Sequence, residues 1–183
     1  MAGAWMKPLD TADLAAPSPS DDAPAEVLRL FGEHGSSLYR FCRCNLGSTP
    51  DAEDVVQETF LKLLQHLRAG GGRANLRAWL FEVAANACRD RVRWRPRWLP
   101  WQAELDRRTV EPFDEAPDRR IARAALRSLA PRDRLLLSLR AQGLSYRGIA
   151  AAAGIRERSV GRLLARAVDR WKRRVEATMR PAE

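Results

Sequence analysis

No stretch of this 183-residue chain approaches the roughly 18 consecutive apolar residues that a membrane-spanning helix needs, and membrane insertion is not expected. The N-terminal MAGAWMKPLDTADLAAPSPSDDAPAE has one Lys and no apolar core of signal-peptide length, so it reads as a disordered leader. Cysteine is scarce: Cys42, Cys44 and Cys88 are too few and too oddly numbered for a disulfide scaffold, which fits a reducing cytoplasm. With His34 and His66, the Cys42-x-Cys44 pair offers the elements of a zinc set. However, the spacing is not a usual finger pattern and Cys42 sits on an apolar helix stripe, so buried structural thiols are the expected reading. No Ser/His/Asp set or Gly-rich nucleotide loop argues for an enzyme. We therefore expect no catalytic residue, metal, cofactor or small-molecule substrate. Strand signals are almost absent too, and helical periodicity dominates; the expected fold class is all-α.

What the chain does have is charge, unevenly placed. The formal net charge is +9. Residues 1–67 carry ten acidic against five basic side chains, and residues 68–95 carry seven basic against two acidic. Residues 96–118 turn acidic again, and residues 119–174 hold 16 basic against three acidic. Alternating blocks of this size predict two modules separated by an acidic linker, with basic surface on both. Such surfaces suit nucleic acid or an anionic membrane, or are merely solvated. The acidic segment DAEDVVQETF at residues 51–60 stands against this background and offers carboxylates to some other, basic, protein surface.

The spacing predicts a first helix over Ala25–Leu46, with Val27, Leu30, Phe31, His34, Leu38, Phe41 and Cys42 on its inner face and Gly35-Ser36 loosening its middle. GSTPD then supplies a stop and a start: Gly47 as C-terminal cap, Ser48 or Thr49 as N-cap, Pro50 in the first turn. The second helix buries Ala52, Val55, Val56, Phe60, Leu63, Leu64 and Leu67, with Asp51, Glu53 and Asp54 opposing the positive end of its dipole. After the glycine-broken RAGGGRAN, a third helix from Leu76 to Arg93 buries Leu76, Trp79, Leu80, Val83, Ala84, Ala87 and Cys88. The proline-rich stretch around Trp98, Trp101 and Phe113 reads as a linker that docks on something. The expected division is a leader at 1–25, a first module at 26–95, a flexible linker at 96–117, a second module at 118–176 and a tail at 177–183.

In the second module, SYRGIAAAAGIRERSVGRLLARAVDRWKRR has the build of a helix-turn-helix. Ala150 and Gly154 are small where two helices must cross, and Val160 fills the angle between them. Arg156, Arg158, Arg162 and Arg166 then lie where a helix in the major groove meets bases and phosphates. Arg158 and Arg162 are the candidates for base contact; a solvated amphipathic hairpin is the bland alternative.

Three of these segments, in this order, resemble the extracytoplasmic-function sigma factors of bacterial RNA polymerase, members of the sigma-70 family. DAEDVVQETFLKLLQHL resembles the polymerase-binding helix of the second conserved region, and AWLFEVAANACRDRVR the promoter-melting helix after it. LRSLAPRDRLLLSLRAQGLSYRGIAAAAGIRERSVGRLLARA resembles the fourth region. The resemblance implies two small helical domains, the C-terminal one a helix-turn-helix, and partners in core RNA polymerase (β′ coiled coil and β flap), promoter DNA and an anti-sigma factor. Asp51, Glu53, Asp54, Gln57 and Glu58 would face the polymerase, chiefly Asp54, Gln57 and Glu58. Arg73, Asn75, Asn86, Arg89 and Arg93 would meet the minus-ten element, with Asn86 at a flipped base; Arg91 and Arg95 would follow the strand or stay solvated. Trp79 would be core or stack on a base. Arg156, Arg158, Ser159, Arg162 and Arg166 would meet the minus-thirty-five element.

Two departures matter. Gly148 stands where relatives often place an acidic residue that completes a capping box with Ser145; glycine there costs up to about 1 kcal/mol. Gly161-Arg162-Leu163 replaces the common basic-Ser-Arg of the recognition helix. Promoter preference therefore does not carry over. A helix-turn-helix regulator acting without polymerase is the rival reading, and a sigma-like adaptor a third.

Overall fold

The computed structural model describes residues 22–94 and 117–179. Most of the expected leader, the tryptophan-bearing linker, Arg95 and the last residues lie outside it. Among the described residues every regular element is a helix: α1 (Ala23–Leu46), α2 (Thr49–Arg68), α3 (Leu76–Trp94), α4 (Pro117–Arg127), α5 (Pro131–Ala141), α6 (Tyr146–Ala153) and α7 (Glu157–Met179). None is long and apolar enough to cross a membrane.

Helix α1 begins at Ala23, inside the expected leader, and runs without a break through Gly35-Ser36. The ring of Phe31 lies over Gly35, where even a Cβ would meet it at 3.4 Å. The α1–α2 corner follows from its local chemistry. Gly47 takes the left-handed conformation (φ 73°) that lets its N–H return to Arg43 O. Ser48 then caps α2 by accepting from the Asp51 N–H. Ser48→Ala should cost about 1 kcal/mol of stability in urea unfolding, whereas Thr49→Ala, beyond the cap, should cost less.

The three helices close on Leu38, Phe41, Cys42, Leu46, Ala52, Val55, Leu63, Leu80 and Ala84. Phe41 and Phe81 pack edge to face with their centroids 5.4 Å apart. Several expected core positions are not fully buried, among them Val27, His34, Leu64, Val83 and Ala87. Phe31 is 53% exposed and Val56 only half-buried, both lining an open groove between α1 and α2. Trp79 is half-buried and stacks on His66 at 5.0 Å. His66 Nε2 faces Gly72 O at 3.1 Å while Cys42 lies buried beside Cys88, so among the described residues the cysteines and histidines of the zinc alternative are not gathered into one group. That thiol–thiol contact and burial both push the Cys42 pKa up.

In the second module α4 lies along α7, where Trp171 Nε1 donates to Ala122 O (3.0 Å). The buried Asp133 carboxylate holds Arg170 at 2.7 Å, tying α5 to α7. Val160 is fully buried at the α6–α7 crossing, as the helix-turn-helix pattern requires, and Gly154 ends α6 at φ 64°.

The two modules do not stand apart. Buried residues of α5 and α6, and Leu144 between them, belong to one continuous core with α1 and α3; Leu136, Leu139 and Ile149 are among them. This explains why Phe81, fully buried, escaped a reading that closed the first three helices alone. It lies on the i, i+4 row Arg77-Phe81-Ala85-Arg89, which faces the second module. Arg77 comes up to Gly143, and Arg89 Nη1 reaches Ala152 O at 3.2 Å.

Candidate nucleic-acid and protein interfaces

Residues of α1 and α2 line an open groove of about 740 Å³. Val27, Phe31, Tyr39, Val56, Phe60, Leu61 and Leu64 line it, with Arg40, Glu53 and Gln57 at its edge. Phe31 packs edge to face on Phe60 at 5.1 Å, which holds the half-exposed ring in place. An apolar floor this exposed, rimmed by polar side chains, is the signature of a docking surface. The expected acidic set divides around it. Glu53 and Gln57 edge the groove, whereas Asp54 lies further round the exposed arc of α2. Glu58 turns toward α3 and bonds Lys62 (2.7 Å) and Arg91 (3.2 Å). The bond to Lys62, with Arg91 behind it, keeps the Glu58 carboxyl below its ordinary pKa. Asp51 remains half-buried in the first turn of α2.

A second cleft, about 470 Å³, opens between α2 and α3 and is lined by Glu58, Lys62, Val83, Asn86, Asp90 and Arg91. Asn86 is half-buried there, and its Oδ1 accepts from Arg89 Nη2 at 3.0 Å. The amide hydrogens of Asn86 suit a base edge. Asn75 sits at φ 54°. Its Oδ1 accepts from Ala78 N (3.3 Å), so the carboxamide caps α3. Arg73, Arg89 and Arg93 are exposed, although one end of Arg89 is committed to the second module.

On the helix-turn-helix, Arg156, Arg158 and Arg162 project from the start and outer face of α7, all exposed, while Ser159 is half-buried. Arg166 lies further along and joins Arg132, Arg170, Arg173 and Arg174 in a basic groove against α5. Ser145 caps α6 by accepting from Gly148 N at 3.2 Å, so the missing acidic partner does not prevent capping. At Gly161 the Tyr146 ring lies 3.5 Å from where a Cβ would stand, an ordinary contact distance, and the Arg140 guanidinium lies 6.0 Å from that ring's centroid. Tyr146, Arg147 and Arg140 are exposed, and sequence reasoning did not single them out. It also missed Phe31 and Leu61 as groove residues, because helical periodicity marks apolar positions without saying which ones find a neighbour.

Comparison with known proteins matches residues 30–97 to sigma-70 region 2 and residues 119–170 to sigma-70 region 4. The chain is 31% identical to the ECF RNA polymerase sigma factor SigG of Mycobacterium tuberculosis over 56% of its own length, but spans about a quarter (27%) of that longer relative. Against SigM of the same organism it is 30% identical, covering 79% of this chain and 74% of SigM. The sigma factor RpoE from Bartonella quintana, solved with the anti-sigma factor NepR, superposes with a TM-score of 0.62 at 25% identity over 85% of this chain and 97% of RpoE. Sequence order, fold and these likenesses agree: the chain belongs to the ECF sigma factors, with a sigma-70 region 2 and a region 4.

Proposed function

We propose that this protein is an alternative sigma factor that binds core RNA polymerase and directs promoter-specific initiation in the cytoplasm, with no catalytic chemistry of its own. The carrying observation is one chain with two unlike surfaces: an acid-edged apolar groove on the first module and an exposed arginine face on the helix-turn-helix of the second. The groove between α1 and α2 takes the polymerase. Its apolar floor supplies burial, while Glu53 and Gln57 at the rim, with Asp54 beside them, set orientation against basic side chains. Arg158 and Arg162 read the minus-thirty-five element, each bidentate guanine contact contributing about 1–3 kcal/mol of discrimination. Arg140, Arg147 and Arg166 hold phosphates and set the register. The α2–α3 cleft receives the unpaired minus-ten base at Asn86; binding energy that favours the flipped base over the stacked one then drives strand opening. An anti-sigma factor, the kind of partner solved with RpoE, is the expected inhibitor.

The test is transcription by purified core polymerase on a library of promoter fragments. Initiation from a defined subset is the expected result. Tight duplex binding without any initiation would favour the regulator that works without polymerase.

A further inference from the structure

We propose that His66 is a positioning residue for minus-ten recognition: its ring braces the glycine loop between α2 and α3 and closes the loop end of the α2–α3 cleft; the inference rests on the sigma-factor reading above. His66 lies in the last turn of α2 and Trp79 in the first turn of α3. Their rings stack with centroids 5.0 Å apart and planes 28° from parallel. His66 stands one turn beyond Lys62, and Trp79 one turn before Val83. Lys62 and Val83 both line the cleft that holds Asn86. The stacked pair therefore lies at the end of that cleft where the chain crosses from α2 to α3.

The ring also grips the loop. Gly71 N returns to His66 O (2.8 Å), and the imidazole Nε2 lies 3.1 Å from Gly72 O. A carbonyl only accepts, so the hydrogen of this bond is on Nε2. Gly71 passes so close to the ring that a Cβ there would overlap Cε1, Nδ1 and Nε2. Moving the imidazole aside to admit one would break both its stack on Trp79 and its bond to Gly72, so this close approach needs glycine. Three consecutive glycines would otherwise give residues 70–72 great conformational freedom. Held by the ring at Gly71 and Gly72, and at its far end by the Asn75 cap on α3, the loop presents the exposed Arg73 from one defined place. Ordering of this kind in the free protein spares the promoter complex the entropy of ordering the loop on binding. His66 acts through Arg73 and the cleft, not by contact with a base.

His66→Ala, Gly71→Ala and the two together test the brace. Each full-length variant is compared with wild type for initiation, using purified core polymerase and promoters altered singly in the minus-ten or the minus-thirty-five element. Hydrogen exchange of residues 69–75 is followed in the free protein. In His66→Ala we expect exchange of the Gly71 amide to quicken at least about ten-fold. Discrimination among minus-ten variants should fall about ten-fold, the size of one well-placed base contact, while the ranking of minus-thirty-five variants is unchanged. Gly71→Ala should act likewise from the loop side, and should add less than about two-fold once the ring is gone. A folded His66→Ala protein with wild-type minus-ten preferences overturns the proposal. So does an equal fall on every promoter, which is what a purely structural loss gives, or an effect of Gly71→Ala that is the same with and without His66. Should His66→Ala not fold, His66→Gln, which keeps a donor for Gly72 O but loses the stack, takes its place under the same criteria. Wild type that initiates from no promoter removes the sigma-factor reading instead, and the promoter role of His66 with it, while exchange at Gly71 still reports whether the ring holds the loop.

Discussion

Leu61→Asp combined with Glu53→Lys is expected to weaken binding to core polymerase by roughly 30- to 1,000-fold, an energy of about 2–4 kcal/mol. Both positions are at the surface of the α1–α2 groove, and Leu61 is 53% exposed, so the new side chains meet water in the free protein and should not disturb folding. On docking, the Asp carboxylate would be stripped of water on an apolar floor, and the Lys would face whatever basic groups Glu53 now attracts. Binding of duplex DNA by the second module should change by less than about two-fold, since such contacts depend on phosphate neutralisation by its own arginines. Fluorescence anisotropy of labelled protein against core and of labelled duplex against protein, with circular dichroism to confirm the fold, measures both. Unchanged core affinity would remove the groove from the polymerase interface. Glu58 is the weaker choice for this experiment, because reversing it also breaks its bonds to Lys62 and Arg91 within the fold.

Phe81→Ala should have the largest effect on stability. Removing a fully buried phenylalanine leaves a cavity and costs about 3–5 kcal/mol, a large share of the ~5–15 kcal/mol that holds a domain together. The ring packs edge to face on Phe41, and the Arg77 guanidinium lies 5.6 Å from its centroid. Because the row it belongs to faces α6, the loss should be felt on both sides of the module boundary. Urea unfolding followed by hydrogen exchange should show reduced protection in α1, α3 and α6 together. Protection of α6 that stays at the wild-type level would mean that the modules unfold independently.

Much of the local structure was legible because the signals are short-range. GSTPD makes its corner through one left-handed glycine and one serine cap, both reading only their own neighbours. The same holds for Ser145 and Gly154 around α6, and for Val160, whose place follows from helix crossing geometry. Site residues were less legible. Asp54, Gln57 and Glu58 share an arc of α2, yet only the neighbouring helices decide that Gln57 edges a groove while Glu58, besides pairing with Lys62 on its own helix, is taken up by Arg91 of α3. Asn75 looked like a loop residue available to DNA, but its carboxamide caps α3.

By itself, then, the sequence determined the all-helical build, the α1–α2 corner, the caps of α6, the helix-turn-helix and the resemblance to the family, since these depend on periodicity, capping chemistry and residue order. Only the tertiary structure decided which apolar residues lack a neighbour and which cations have one. Phe31 and Leu61 stand exposed along an open groove between α1 and α2. Arg134 left the basic surface for the interior because the C-terminal ends of α1 and α4 converge on it. Both outcomes depend on helices far apart in the chain meeting in space, and no pattern within a single helix encodes that meeting.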